Sequence, residues 1–245
     1  TGETPYNAEG KVITLNMYRP YDETGNPIKL DDFGLDGEGL VALSDGTFWV
    51  SDEYGPHMVH FDENGVEIER INAFKNDARV THHLPAEYAN RRANRGMEGL
   101  AATLDEKTLV GVMQSTMYNP DKKVQKLDIT RIVTIDPKTG KVGQYLYKQN
   151  KAQNSNSGIV AVGENKFYII ERDGAFLNGG PKKANPKAQK HVYEIDLSTG
   201  TDLEMIASDG ALKQDEELGL LIDGKTLEQA VLEGSWDALS KHGIK

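Results

Sequence analysis

The sequence predicts an all-β protein, a β-propeller of four-stranded antiparallel blades, of which about three are recognisable. Two observations carry this reading. A Glu-Gly or Ser-Gly step returns about every 60 residues, at Glu38, Glu98 and Ser157, and a fixed period of that length marks a repeat architecture. After each step the chain passes through the same order of short apolar runs and polar turns, which reads as four strands per unit.

The first strand of each unit follows its step, at Gly39-Leu40, Gly99-Leu100 and Gly158-Ile159. The turns Ser44-Asp45-Gly46, Asp105-Glu106-Lys107 and Gly163-Glu164-Asn165 lead to second strands at residues 48–52, 109–113 and 167–171. Third strands, at residues 57–61, 131–135 and 191–195, end in turns rich in Asp, Gly and Asn. Fourth strands are expected at residues 66–71, 142–147 and roughly 202–206. Alternation such as Val133, Ile135 with polar neighbours suits half-buried antiparallel strands. The blades then span about residues 36–72, 96–148 and 156–207 of a single partial domain covering 1–245. Between the first two blades, residues 84–92 read as a short helix or ordered loop, because Pro85 precedes good helix formers. Residues 178–189 read as a polar insertion and 224–241 as a helical tail, with Leu227, Val231, Leu232, Trp236 and Leu239 at helical spacing. Three blades and a strand at residues 11–17 are too few to close a ring of four to eight. The missing blades are expected from the rest of the chain or from another chain.

Composition narrows the partners. With 28 Lys and Arg against 38 Asp and Glu, net charge -10, binding to nucleic acid or an anionic membrane is not expected, since both call for basic patches. No apolar stretch is long enough for a membrane helix. The absence of cysteine excludes thiolate metal sites and Cys nucleophiles. The chain begins at Thr1, read here as a removed signal peptide and hence a periplasmic or secreted protein.

In a propeller the first strands line the channel, and loops at one channel end form the binding site. That places Glu38, Glu98 and Ser157 beside the second-strand ends Asp52-Glu53, Met113-Gln114 and Glu171-Arg172. Converging carboxylates are unfavourable unless a cation or an arginine neutralises them. Glu38, Asp52, Glu53, Glu98 and Glu171 are therefore candidate ligands for a hard cation, Ca²⁺ in the first place and Mg²⁺ in the second; the alternative is turn capping or pairing with Arg95 or Arg172. The run Asp52-Glu53-Tyr54-Gly55-Pro56-His57 concentrates acid, phenol and imidazole on one turn, as a binding loop does. His57 is a candidate general acid or base, or simply the start of a strand. Arg91, Arg92 and Arg95 form a basic island able to clamp an anion or to pair with the acids. His82 and His83 read as loop histidines. No Gly-x-Ser-x-Gly elbow and no phosphate-cradling glycine loop is present, so metal-activated water is the expected nucleophile.

The runs Asp36-Gly37-Glu38-Gly39-Leu40, residues 45–57 and Asn94-Arg95-Gly96-Met97-Glu98-Gly99-Leu100, together with Glu171-Arg172, resemble the phytase-like family, the esterase-like domain of phytase. The resemblance spans about residues 30–205. It implies a propeller fold, an exported bacterial protein, and hydrolysis of phosphoesters or carboxylic esters with Ca²⁺. On that reading His57, Arg95 and Glu98 are catalytic candidates, and Tyr54, His57, Arg95, Gln114 and Arg172 contact a small anionic ester or phosphoester. A non-catalytic binding module for a ligand or a protein, and a sugar lactonase, are the competing readings.

Overall fold

In a computed structural model, described for residues 21–29, 31–175, 185 and 187–245, the chain is mostly β with several antiparallel sheets, none of them closed. Sheet 1 comprises β1 (Gly37–Ala42), β2 (Phe48–Asp52), β3 (His57–Phe61), β4 (Glu67–Asn72) and β5 (Val80–His83), in that order. Sheet 2 comprises β6 (Met97–Ala102), β7 (Leu109–Met113), β8 (Ile129–Ile135) and β9 (Val142–Lys148). Sheet 3 has β10 (Ser155–Gly163), β11 (Lys166–Arg172) and β12 (Lys190–Asp196). The turns follow their residues. Asp62 accepts from the amides of Asn64 and Val66 while Gly65 takes φ +78°, and Asp136 accepts from Lys138 with Gly140 at φ +71°.

The sheets stack face on face. Trp49, Met58 and Ile71 of sheet 1 pack on Leu100, Leu109, Val133 and Ile135 of sheet 2. The opposite parity of sheet 2, Ala101, Val110, Val112 and Ile132, packs on Ile159, Phe167 and Ile169 of sheet 3. Sheet 2 is thus buried on both faces, which explains why its strands are nearly continuous apolar runs. The glycines of the repeated step exist for this stacking. A Cβ on Gly39 would lie 2.5 Å from the Leu100 amide nitrogen, and one on Gly99 would lie 3.0 Å from the Gly158 Cα. The first strands β1, β6 and β10 therefore run side by side at backbone distance.

Two expectations about the fold are corrected. Residues 202–206 are not a strand: Asp202 accepts from the Glu204 amide and caps α1 (Leu203–Ser208), whose Leu203 and Ile206 face the second core. Among the described residues, sheet 3 has three strands. Sheet 1 gains β5, which runs parallel to β4 and carries His82 and His83, so those residues belong to a strand and not to a loop. Residues 84–92 contain a 3-10 turn at Ala86–Asn90. The expected strand at 11–17 and most of the insertion at 178–189 lie outside the described residues.

The tail forms β13 (Lys213–Asp215), β14 (Gly219–Ile222), β15 (Lys225–Thr226), α2 (Leu227–Gly234) and α3 (Asp237–Ser240). It packs Leu220, Leu227, Val231 and Leu239 on Ile129 and Leu146 of sheet 2. A capping box between Thr226 and Gln229 starts α2. Beneath the tail, Arg131 is wholly buried and pairs with Glu87 at 3.0 Å and Glu228 at 2.8 Å.

Candidate functional site

One end of the three sheets is stitched by backbone hydrogen bonds that cross from sheet to sheet. The Glu53 amide donates to the Asp36 carbonyl (3.0 Å), Gly96 to Glu53 (2.9 Å), Gln114 to Gly96 (2.7 Å) and Asn156 to Gln114 (2.9 Å). These residues are the step approaches and the second-strand ends singled out in the sequence. The belt fixes their side chains in one neighbourhood.

Acidic groups converge there. Asp36, Glu38 and Glu53 each offer an oxygen, and the three oxygens lie within 4.8 Å of one another. The Asp36 and Glu38 carboxylates accept no hydrogen bond from the described residues. Glu53 is buried, and its carboxyl is pushed up to about 8 by burial and by the charges of Glu98, Glu38 and Asp36. Burial, with Glu98 and Asp36 adding to it, also raises Glu38. Gln114 separates the two halves of the site: its Nε2 donates to Glu53 Oε1 at 2.6 Å and to Glu98 Oε2, and its Oε1 accepts from Arg95 at 2.8 Å. Arg95 also donates to Ser155 Oγ at 3.0 Å. Arg172 bridges Glu98 at 3.2 Å and Ser157 Oγ at 2.5 Å. The site is thus an acidic cluster flanked by two half-buried guanidiniums.

Of the expected residues, Glu38, Glu53, Glu98, Arg95, Gln114 and Arg172 come together. Asp36 was missed as a member of the acidic cluster, although Asp36-x-Glu38 leading into a strand is the two-residue spacing that points side chains to one face. Asp52, Glu171 and His57 are placed differently from expectation. Asp52 caps the turn, accepting from the amides of Asp36 (2.8 Å) and Gly55. Glu171 is tied to the neighbouring sheet and to the loop before its own, accepting from Tyr147 Oη of β9, the Asn150 amide and Asn154 Nδ2. His57 is 1% exposed, its ring edge-on to Phe74 and its Nδ1 3.0 Å from Asn72 Nδ2. Burial, helped by Arg70, Arg79 and Arg91, holds it well below the usual histidine range. A neutral, enclosed imidazole braces the loop. Tyr54 is also buried, and Arg91 holds its carbonyl at 2.6 Å while stacking over Phe74. Arg92 lies over the Tyr118 ring.

The sequence profile of the Phytase-like family, described as "Esterase-like activity of phytase", matches residues 3–234. The chain belongs to the Phytase-like family. A secreted protein of Arthroderma benhamiae, itself uncharacterised, is 34% identical over 116 residues, which cover 38% of this chain and 22% of that protein. The match spans about a fifth of that relative's length. The family suggests a hydrolase-type enzyme, and residues 36–40, 52–57 and 94–100, which lie inside the matched range, contribute to the belt and the acidic cluster. Among the described residues of this Phytase-like chain, no helix is long and apolar enough to cross a membrane.

Proposed function

We propose that the chain is a metal-dependent hydrolase of anionic esters, phosphoesters or carboxylic esters, that its sheets are blades of a propeller, and that it works outside the cytoplasm. The observation that carries the reading is the meeting of Asp36, Glu38 and Glu53 beside Arg95 and Arg172. The donor set suits a hard cation: all the candidate ligand atoms are carboxylate oxygens, two of the groups accept no hydrogen bond from the described residues, and the carboxyl of the third, Glu53, is pushed up by burial and by its acidic neighbours. Ca²⁺, which accepts many oxygens in loose geometry, fits better than Mg²⁺.

Asp36, Glu38 and Glu53 would hold the ion. When bound, it supplies a polarised ester oxygen and a more acidic water. The chain's own groups do the rest. Arg95 and Arg172 orient the anionic part of the substrate and balance its charge. Glu98, held between Gln114 and Arg172, would take a proton from an attacking water. The blade reading is supported by the side-by-side first strands and the face-to-face sheets, and export by the secreted relative.

The test is turnover of phytate, p-nitrophenyl esters and lactones by the full chain, with chelator or Ca²⁺, beside Glu53→Gln and Glu98→Gln. Ca²⁺-dependent ester or phosphoester turnover, lost at least tenfold in both variants, is the expected result. Turnover of lactones alone would move the substrate class to sugar lactones. Ca²⁺-induced stabilisation without turnover of any substrate would make the chain a binding module.

A further inference from the structure

Sheets 2 and 3 part at the end opposite the belt and leave a recess of about 480 Å³, a size that holds one small molecule. Thr108 lines it, and the length of β7, roughly 17 Å at strand rise, separates it from Gln114 and the acidic cluster. The register explains the space. Val110, Thr134 and Gly143 stand in one cross-strand row on the face of sheet 2 that meets sheet 3, and the next row carries Val112, Ile132 and Tyr145. A threonine and a glycine stand where the next row has an isoleucine and a tyrosine, so the sheets do not close there. Phe167 of β11 and Leu197, just past β12, form the apolar wall on the other side.

Oxygens converge on the gap. A Cβ on Gly143 would stand 2.6 Å from Thr134 Oγ1 and 2.9 Å from Asp202 Oδ2. Asp202 is fixed in place by its other oxygen, which accepts from the amides of Gln144 and Glu204, each at 3.1 Å. Tyr145 is the next inward residue of β9, and burial together with the Asp202 charge raises its phenol above the ordinary value, so it stays a donor. Thr134 Oγ1, Tyr145 Oη and Asp202 Oδ2 make no hydrogen bond with the described residues. On the rim, Asp136 spends one oxygen on the amides of Lys138 and Thr139.

The lining favours one kind of ligand. The carboxylates of Asp105, Asp136 and Asp202 are set against Lys107 and Lys141, with Lys107 paired to Asp105 at 3.3 Å, so the recess is close to balanced in charge and calls for no ion. Carboxylates only accept hydrogen bonds, whereas the hydroxyls of Thr134 and Tyr145 and the amide of Asn165 both accept and donate. The matching molecule is neutral, has several groups that give and take hydrogen bonds, and has C–H groups to set against Phe167 and Leu197. We propose that this recess binds a neutral carbohydrate unit of hexose size, its hydroxyls bonded to Asp202, Thr134 and Tyr145 and its C–H face on the apolar wall. The site is separate from the acidic cluster and needs no metal.

Ligand-detected saturation-transfer NMR of the full chain in chelator tests this, with methyl α-glucoside, methyl α-mannoside, methyl β-galactoside and N-acetylglucosamine as probes and choline as a cationic control. At least one sugar is expected to bind with a millimolar or tighter Kd, and choline not to bind. Asp202→Asn, which keeps an acceptor for the Gln144 and Glu204 amides, is expected to weaken sugar binding about tenfold, and Thr134→Val and Tyr145→Phe about fivefold each, all with unchanged circular dichroism. Gly143→Ala sets a methyl between the two oxygens and is expected to abolish binding; should it fail to fold, the three conservative variants carry the test. Absence of binding by all four sugars, or choline binding in their place, overturns the proposal. Sugar binding that Asp202→Asn, Thr134→Val and Tyr145→Phe leave intact overturns it too, and its loss in Glu53→Gln instead would place the sugar at the acidic cluster.

Discussion

At the scale of single residues, the fate of each carboxylate is set by what donates to it. Asp52 and Glu171 spend their oxygens on backbone and side-chain donors, while Asp36, Glu38 and Glu53 are left facing one another. Glu53 is the most affected. Its carboxyl pKa of about 8 in the fold stands above its usual 4.5, so the folded chain binds that proton more tightly than the unfolded chain does. The stabilisation is complete below pH 4.5 and is lost as the pH rises towards 8. In chelator, thermal melts of the native chain are expected to fall across this window by the equivalent of a few kcal/mol. Glu53→Gln, which keeps an acceptor for Gln114 but cannot ionise, flattens the fall. On the proposed function, added Ca²⁺ is expected to restore stability most at the alkaline end. Gly39 gives a sharper steric test. Gly39→Ala drives a methyl into the β6 backbone and is expected to lower stability by about 2–3 kcal/mol in urea melts.

Among elements, the tail is held by a buried ionic node more than by surface contacts. Arg131 on β8 binds Glu87 of the 3-10 turn and Glu228 of α2, with no exposure on any of the three worth noting. Arg131→Leu leaves two buried carboxylates without their countercharge and is expected to destabilise by about 3–5 kcal/mol, more than a lost surface pair would. Gly219 sits against the same node at φ +70°, with the Glu87 carboxylate where a Cβ would be. Gly219→Ala is expected to loosen β13–β15 and α2 first, read as accelerated proteolysis of the tail while sheets 1 and 2 remain protected. The fate of residues 202–206 follows the same logic: Asp202 caps a helix whose Leu203 and Ile206 find the tail's core, so the repeat's fourth strand is given up for a contact the repeat does not contain.

For the molecule as a whole, the belt from Asp36 through Glu53, Gly96 and Gln114 to Asn156 joins all three sheets. Opening any one of them breaks it. Hydrogen exchange is expected to find the amides of Glu53, Gly96, Gln114 and Asn156 among the slowest, exchanging only with global unfolding. Much of this was legible in the sequence. The period of the Glu-Gly step, the first three strands of each unit and the meeting of Glu38, Glu53, Glu98, Arg95, Gln114 and Arg172 all follow from local pattern, because a repeat places equivalent residues at equivalent points of a stack. What the sequence could not supply was the partner of each polar group. Whether Asp52, Glu171 and His57 face a ligand or brace a loop depends on donors tens of residues away in the chain, such as Asn72 for His57 and Tyr147 for Glu171. The choice of helix over strand after Asp202, and the parallel β5, likewise depend on which apolar surface lies nearby once the sheets have stacked. The sequence by itself determined the units and their common end; only the tertiary structure decided which carboxylates remain unpartnered, since desolvation and hydrogen-bond satisfaction exist only after packing.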